Sequence, residues 1–250
     1  MITAFSFSPT GGTDKVLSII SEELHVDSFH SLLKPLETPV TLSQEDTAII
    51  AFPSFGGRVP RTAKERFESA VRGNGAKCII IAVYGNRAYE DTLIEMLDTA
   101  ESCGFSVIAA ISAVAEHSIF HAVATGRPYE DDRAFLINAT GRIREKIKEG
   151  RCDKPSVPGK RPYKEYGAAS FIPMPDDRCI NCGRCSRECP VGAIDAGNPH
   201  SVDAEKCISC MRCIAVCPVS SRKNDDEKLA LLLKKLESAF RGRKENEIFL

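Results

Sequence analysis

Two kinds of apolar pattern alternate along the first ~150 residues. Strand-like segments predict strands over 2–8, 26–32, 47–53, 76–85 and 105–114. The central runs, TAIIAFP and AKCIIIAVYG among them, leave no polar face, as expected of parallel strands covered on both sides. Between them, apolar residues recur every three or four positions and predict helices over 13–24, 60–72, 88–103 and 129–150. Thr13 is a candidate N-cap, Pro60 opens the second helix, and Gly104 and Gly150 close the last two. Five strands alternating with helices predict an α/β doubly wound, five-stranded parallel sheet.

The pattern then changes. Residues 151–175 hold Pro155, Pro158, Pro162, Pro173 and Pro175 without a period and read as an extended linker. Residues 176–221 carry an internal repeat: CINCGRCSRECPVGA aligns with CISCMRCIAVCPVSS at an offset of 28. A last helix is predicted over 224–240, within a C-terminal segment 222–250. Leu229, Leu232, Leu233, Leu236 and Phe240 share one face, and Asp225, Asp226 and Glu227 sit at its favourable N-terminal end. That face is expected to pack onto one of the two domains.

Composition narrows the function. With 43% apolar and 27% charged residues and a net charge of −1, the chain reads as globular and water-soluble. No block of like charge points to nucleic acid or an anionic membrane, and no apolar run approaches a bilayer span. The start of the chain lacks the basic and apolar regions of a signal peptide, so a cytoplasmic location without membrane insertion is expected.

Cysteine changes the picture most. Eight of the eleven fall between 179 and 217, which in an intracellular protein points to metal rather than disulfides. Cys179, Cys182, Cys185, Cys189 and Pro190 form C-x2-C-x2-C-x3-C-P, and Cys207, Cys210, Cys213, Cys217 and Pro218 repeat it. Zinc ribbons use two CxxC pairs around a longer loop, and this duplicated pattern does not resemble them. It closely resembles the bacterial two-cluster ferredoxins. The resemblance implies a small α+β fold with pseudo-twofold symmetry, one-electron transfer and two 4Fe–4S clusters. It also implies crossed ligand sets, Cys179, Cys182, Cys185 with Cys217 and Cys207, Cys210, Cys213 with Cys189. Cys78 and Cys103 lie in apolar settings and read as small buried hydrophobes, and Cys152 has no assigned role.

In an open α/β sheet, ligands bind beyond the carboxyl ends of the strands. After the first strand comes SPTGGT. Ser8, Thr10 and Thr13 offer hydroxyls, Gly11 and Gly12 let backbone approach, and the following helix points its positive end at an anion. The loop lacks the Lys of a Walker motif and the spaced glycines of a dinucleotide fingerprint. An ordinary glycine-rich turn capped by Thr13 is the plainer reading. The pattern resembles the S/T-x-T-G-x-T loop of flavodoxins, which implies a site for the phosphate of FMN. Two later strand-end loops add to this: Pro53, Ser54, Phe55, Gly56 and Gly57, then Tyr84, Gly85, Asn86, Arg87 and Tyr89. They bring aromatic surface and amide groups of the kind a flavin ring uses. Arg58, Arg61 and Arg87 offer charge to an anionic substrate or partner, or simply to surface ion pairs. Glu116, His117 and Ser118 follow the fifth strand, and His117, Tyr84 and Tyr89 are the candidates for proton donation.

Together the two halves resemble flavodoxin–ferredoxin fusion proteins of anaerobic bacteria and archaea. That resemblance implies a strand order of 2-1-3-4-5 and an FMN domain over 1–150. It implies a two-cluster domain over 176–221, and electron transfer between one- and two-electron partners, whether a redox protein or a small-molecule acceptor. The alternative is a flavin-dependent reductase of a quinone, enone or nitro compound fed through the clusters.

Overall fold

The computed structural model describes residues 1–167 and 171–250. In chain order the first elements are β1 (Ile2–Ser6), α1 (Gly12–Leu24), β2 (Ser28–Ser31), β3 (Val40–Thr41) and β4 (Thr47–Pro53). There follow α2 (Arg61–Ala70), β5 (Val71–Arg72), β6 (Lys77–Tyr84), α3 (Thr92–Ser102), β7 (Ser106–Val114) and α4 (Glu130–Lys148). The remainder comprises β8 (Met174–Pro175), α5 (Arg184–Arg187), α6 (Arg212–Ala215), β9 (Arg222–Lys223), α7 (Asp226–Phe240) and β10 (Glu247–Phe249).

The chain divides into two units that interleave along the sequence. Unit 1 is Met1–His117, His121–Tyr166 and Gly242–Leu250, and unit 2 is Ser118–Phe120 and Gly167–Arg241. The sequential division expected from composition treats 151–175 as a linker and 222–250 as one trailing piece. Here 151–166 and 242–250 belong to unit 1.

Unit 1 is built on a six-stranded sheet of order β10-β7-β6-β4-β1-β2. Five strands are parallel and, counted by themselves along the chain, run 2-1-3-4-5. β10 joins antiparallel beside β7, with Ile248 opposite Ile111. β4, β6 and β7 are buried almost end to end, which is why their sequences show no polar alternation. One face packs on α1 and α4 through Val16, Ile20, Leu136 and Ile143. On the other, the Phe67 ring of α2 meets Phe5, Phe52 and Phe105 at centroid distances of 5.4, 6.1 and 5.9 Å. Truncating such a fully buried aromatic costs about 3–5 kcal/mol.

The helix boundaries follow their end groups. α4 carries Glu130, Asp131 and Asp132 in its first turn and Lys146 and Lys148 in its last, complementing its dipole. α1 departs from expectation: its N-cap is Gly11 at φ 89°, and Thr13 lies inside the helix without capping it. The Ser8 hydroxyl does part of that work, accepting from the Asp14 N–H at 3.0 Å.

Residues 151–166 hold no regular secondary structure, yet they are fastened to α3. The Asp91 carboxylate accepts from the N–H groups of Lys160 at 2.9 Å and Lys164 at 2.7 Å. Asp98 takes Arg161 Nε at 2.8 Å and also binds the Tyr163 hydroxyl. The buried Lys146 ammonium meets Asp153 at 2.9 Å. β10 is fastened through Asn246, whose amide accepts from the Val114 N–H at 2.8 Å and donates to Asp132 at 2.9 Å, beside the buried Arg127–Asp132 pair.

Unit 2 repeats itself in backbone as well as sequence. α5 and α6 are offset by the same 28 residues as the cysteines. The left-handed residues also recur at that offset: Asn181 with Ser209, Gly183 with Met211, and Gly192 with Ser220. Two small antiparallel pairings, β8 with β9 and Ile194 with Val202, stand in matching places. Among its described residues one apolar cluster centres on Cys189, Ala193 and Ile194, and Phe171 and Met211 are buried as well. Asp225 caps α7, accepting from the Lys228 N–H at 2.9 Å. The apolar face of α7 is only half-buried, no residue of the helix is fully covered, and Leu231 is 63% exposed.

Candidate functional site

In unit 2 the eight repeated cysteines line two pockets. One is lined by Cys179, Cys182, Cys185 and Cys217, with Pro218 and Arg222. The other is lined by Cys207, Cys210, Cys213 and Cys189, with Pro190 and again Arg222. Each pocket takes three thiols from one run and one from the other. The short helices α5 and α6 carry the third cysteine of each run, and the left-handed residues on either side of the second turn the chain around the pocket. Among the described residues, no three His, Cys, Asp or Glu side chains converge on a point as ligands of a single ion must. A cubane asks for something different, since each thiolate holds a separate iron at its own corner.

Burial and hydrogen bonds distinguish the sulfurs. Burial pushes the Cys210 and Cys213 thiols up to about 12, so they need a bound cation to act as thiolates. Cys217 is raised by burial, but the N–H groups of Arg222, Val219 and Ser221 outweigh it and bring the thiol below its usual range. The Ala193 N–H donates to Cys189 Sγ at 3.3 Å. Such N–H···S bonds are among the features that set cluster potentials. Outside this set, Cys78 and Cys103 are buried and Cys152 is exposed.

In unit 1 the loops after β1, β4, β6 and β7 gather at the carboxyl edge of the sheet, where β1 is flanked by β2 and β4 and the winding reverses. Ser8 and Thr13 are buried, while Thr10, Gly11 and Gly12 are half-exposed at the start of α1. After β4, Phe55 and Arg58 close a tight turn by N–H···O bonds of 2.9 and 3.2 Å. Gly56 and Gly57, at φ 61° and 89°, supply the positive angles that this turn requires. Pro53 and Phe55 remain half-exposed. Ser54 is tied sideways to Thr92, hydroxyl to hydroxyl, at 2.7 Å.

The third loop is engaged differently from expectation. Asn86, left-handed at φ 57°, donates from Nδ2 to the Gly242 carbonyl at 2.9 Å and accepts from the Lys244 N–H at 2.9 Å. The Tyr89 hydroxyl donates to Glu247 at 2.6 Å, and Tyr84, 7% exposed, reaches the Glu245 carbonyl at 3.4 Å. The polar ends expected to face a ligand thus hold the C-terminal segment of unit 1. Gly85 lies under the His117 ring, where an added Cβ would come within 2.6 Å of Cδ2. Burial, then the charges of Arg87 and His121, lower His117 to about 4, so the imidazole is neutral at pH 7.

The arginines divide likewise. Arg58 forms a buried two-pronged pair with Glu95, at 2.7 and 2.8 Å, and its guanidinium lies over the rings of Tyr166 at 4.1 Å and Tyr163 at 4.8 Å. Arg61 lies over Tyr166, and Arg87 pairs with Glu90 at 2.7 Å. Sequence reasoning missed the receiving side. Asp91, Glu95 and Asp98 lie on one side of α3, and such an acidic stripe on a largely buried helix signals a basic, aromatic partner like RPYKEY.

Residues 173–222 match the family model described as a 4Fe-4S dicluster domain. Solved structures similar to the chain include a flavodoxin of Streptococcus pneumoniae TIGR4, 18% identical over 58% of this chain and 99% of that one, with a TM-score of 0.42. Another is the two-electron reduced flavodoxin of Megasphaera elsdenii, 16% identical over 57% and 99%, with a TM-score of 0.40. A third is rubredoxin oxygen:oxidoreductase from Desulfovibrio gigas, 10% identical over 59% and 36%, with a TM-score of 0.42. No curated protein sequence matches the chain. Sheet order and winding make unit 1 a flavodoxin-like α/β fold. The chain thus joins a flavodoxin-like α/β fold to a ferredoxin-type 4Fe–4S segment. No helix among the described residues is long and apolar enough to cross a membrane.

Proposed function

We propose that the protein transfers electrons between two 4Fe–4S clusters and an FMN, and so converts between one- and two-electron traffic with a redox partner. The observation that carries this is the division of eight cysteines into two four-thiol pockets, each completed by the fourth cysteine of the other run. When bound, the clusters supply one-electron steps and the flavin supplies both one- and two-electron steps.

The residues would act as follows. Cys179, Cys182, Cys185 and Cys217 hold one cluster, and Cys189, Cys207, Cys210 and Cys213 the other. Ser8, Thr10, Thr13 and the amides of Gly11 and Gly12 hold the flavin phosphate at the start of α1. The half-exposed Phe55, with Pro53 and the backbone of Gly56, offers a wall and amides to the ring. Tyr84, Asn86 and Tyr89 fix the edge of the site through the C-terminal segment rather than by their own polar groups.

The test is an anaerobic redox titration of the full chain, with iron, sulfide and flavin content, optical spectra and EPR. About eight irons, eight sulfides and one FMN per chain are expected. One flavin with half the iron would sink the two-cluster wiring. Full iron with no flavin would reduce the protein to a cluster carrier.

A further inference from the structure

Among the described residues, Arg222 alone lines both cysteine pockets. It is 2% exposed. One guanidinium nitrogen donates to the Pro173 carbonyl at 2.6 Å, and another is bonded to the Pro199 carbonyl. Among the described residues no carboxylate pairs with it. Among the described residues its Nε–H has no hydrogen-bond partner. A buried arginine normally finds a counter-charge, because an isolated buried charge is costly. An unpartnered charge and an unpartnered donor in the same side chain point to an anionic acceptor in the pockets it lines. A cubane bound by four thiolates is such an acceptor, and two of them would flank this guanidinium.

We infer that Arg222 is a fixed positive charge shared by both iron–sulfur clusters, which raises the reduction potential of each. This rests on the two-cluster reading above. Each cluster gains one electron on reduction, with no bond or proton changing hands at Arg222. A nearby cation stabilises the more negative, reduced form more than the oxidised one, and burial keeps water from screening it. The backbone of the same residue acts at one site alone, through its N–H toward Cys217. A side-chain substitution therefore removes the shared charge and leaves that amide in place.

The experiment is an EPR-monitored potentiometric titration of the anaerobically purified full chain, as wild type, Arg222→Gln and Arg222→Lys. Iron and sulfide are assayed in every sample. In Arg222→Gln, a neutral side chain that can still donate, both clusters should become harder to reduce. At a fixed potential the reduced-to-oxidised ratio of each should fall about tenfold or more, ~59 mV for a one-electron couple. Arg222→Lys keeps the charge and should hold both ratios within about threefold of wild type. A Gln variant with full iron and either potential unmoved overturns the inference while leaving the two-cluster reading intact. If the Gln variant fails to assemble clusters, the Lys variant decides, and a tenfold fall there overturns the role of charge. A wild type with half the expected iron defeats the two-cluster reading, and the shared charge with it.

Discussion

The two units of this chain are held together by different means. Unit 1 buries aromatic and aliphatic side chains on both faces of its sheet, with Phe5, Phe52, Phe67, Ile20 and Ile49 fully enclosed. In unit 2 one apolar cluster centres on Cys189, Ala193 and Ile194, Phe171 and Met211 are also buried, and cysteines line both pockets. A segment that cannot bury enough apolar surface needs cross-links or metal to fold. On the reading proposed above, one half is specified mainly by side-chain packing and the other also by the clusters its cysteines would hold. The two cysteine sites repeat the contrast on a smaller scale. Cys189 and Cys210 are each 8% exposed, and Met211 is buried beside them. At the other site Cys182 is exposed and Ile180 is 61% exposed. The ligand spacing is the same, but the cover is not.

Iron removal should produce the largest separation of the units. Chelation should abolish the slow-exchanging amides of unit 2 while unit 1 keeps a cooperative transition, read by hydrogen exchange and calorimetry. Iron should leave in two phases, with the site containing Cys182 emptied first. Release in one phase would show that the difference in cover has no consequence.

Next in size is Glu95→Gln, which leaves the Arg58 guanidinium buried without its carboxylate. It should cost unit 1 about 3–5 kcal/mol by denaturant unfolding while the iron content stays unchanged. Equal loss of iron would mean that the units are not separately held.

A smaller effect is expected from Thr10→Val, which removes one hydroxyl from the proposed phosphate loop. Losing a hydrogen bond to a charged group is worth about 1.5–3 kcal/mol, so FMN affinity should fall about tenfold or more, with cluster EPR unaltered. Unchanged affinity would place the phosphate elsewhere.

The smallest effect concerns His117. Its folded pKa of about 4 lies below the ordinary 6.5, so the unfolded chain binds its proton first as pH falls. The stability held above pH ~6.5 is lost progressively toward pH ~4. His117→Gln should flatten that part of the pH–stability curve in unit 1, and an identical slope would remove the buried imidazole from the account.

The parallel sheet was readable in the sequence because its strands are buried on both faces, and continuous apolar runs such as TAIIAFP have few other uses. The cysteine repeat was readable because cluster ligands are nearly local, with at most a few residues between neighbours in a run. β10 was not, since Glu247, Ile248 and Phe249 are too few to show alternation, and their place depends on Asn246 reaching Val114. Residues 151–166 were hidden for a related reason. Their prolines suggest a free linker, while backbone bonds to the distant Asp91 carboxylate at the start of α3 and side-chain bonds to Asp98 hold them. Thr13 misled as an N-cap because the cap depends on the backbone angle of Gly11, and the partners of Tyr84, Asn86 and Tyr89 were not readable because they lie more than 150 residues away.

The return of Gly242–Leu250 to unit 1 makes residues 167–241, which include the 4Fe-4S family match over 173–222, an insertion in its chain. A single proteolytic nick in that stretch would release neither piece, because one cut end stays anchored in the helix-strapped body and the other in a sheet edge. Cutting the gene after Arg241 would also strip that edge, exposing the ladder of β7 to any passing strand. The half that looks like an appendage in the sequence is therefore an insertion in the chain of unit 1, and residues 242–250 complete unit 1 after it.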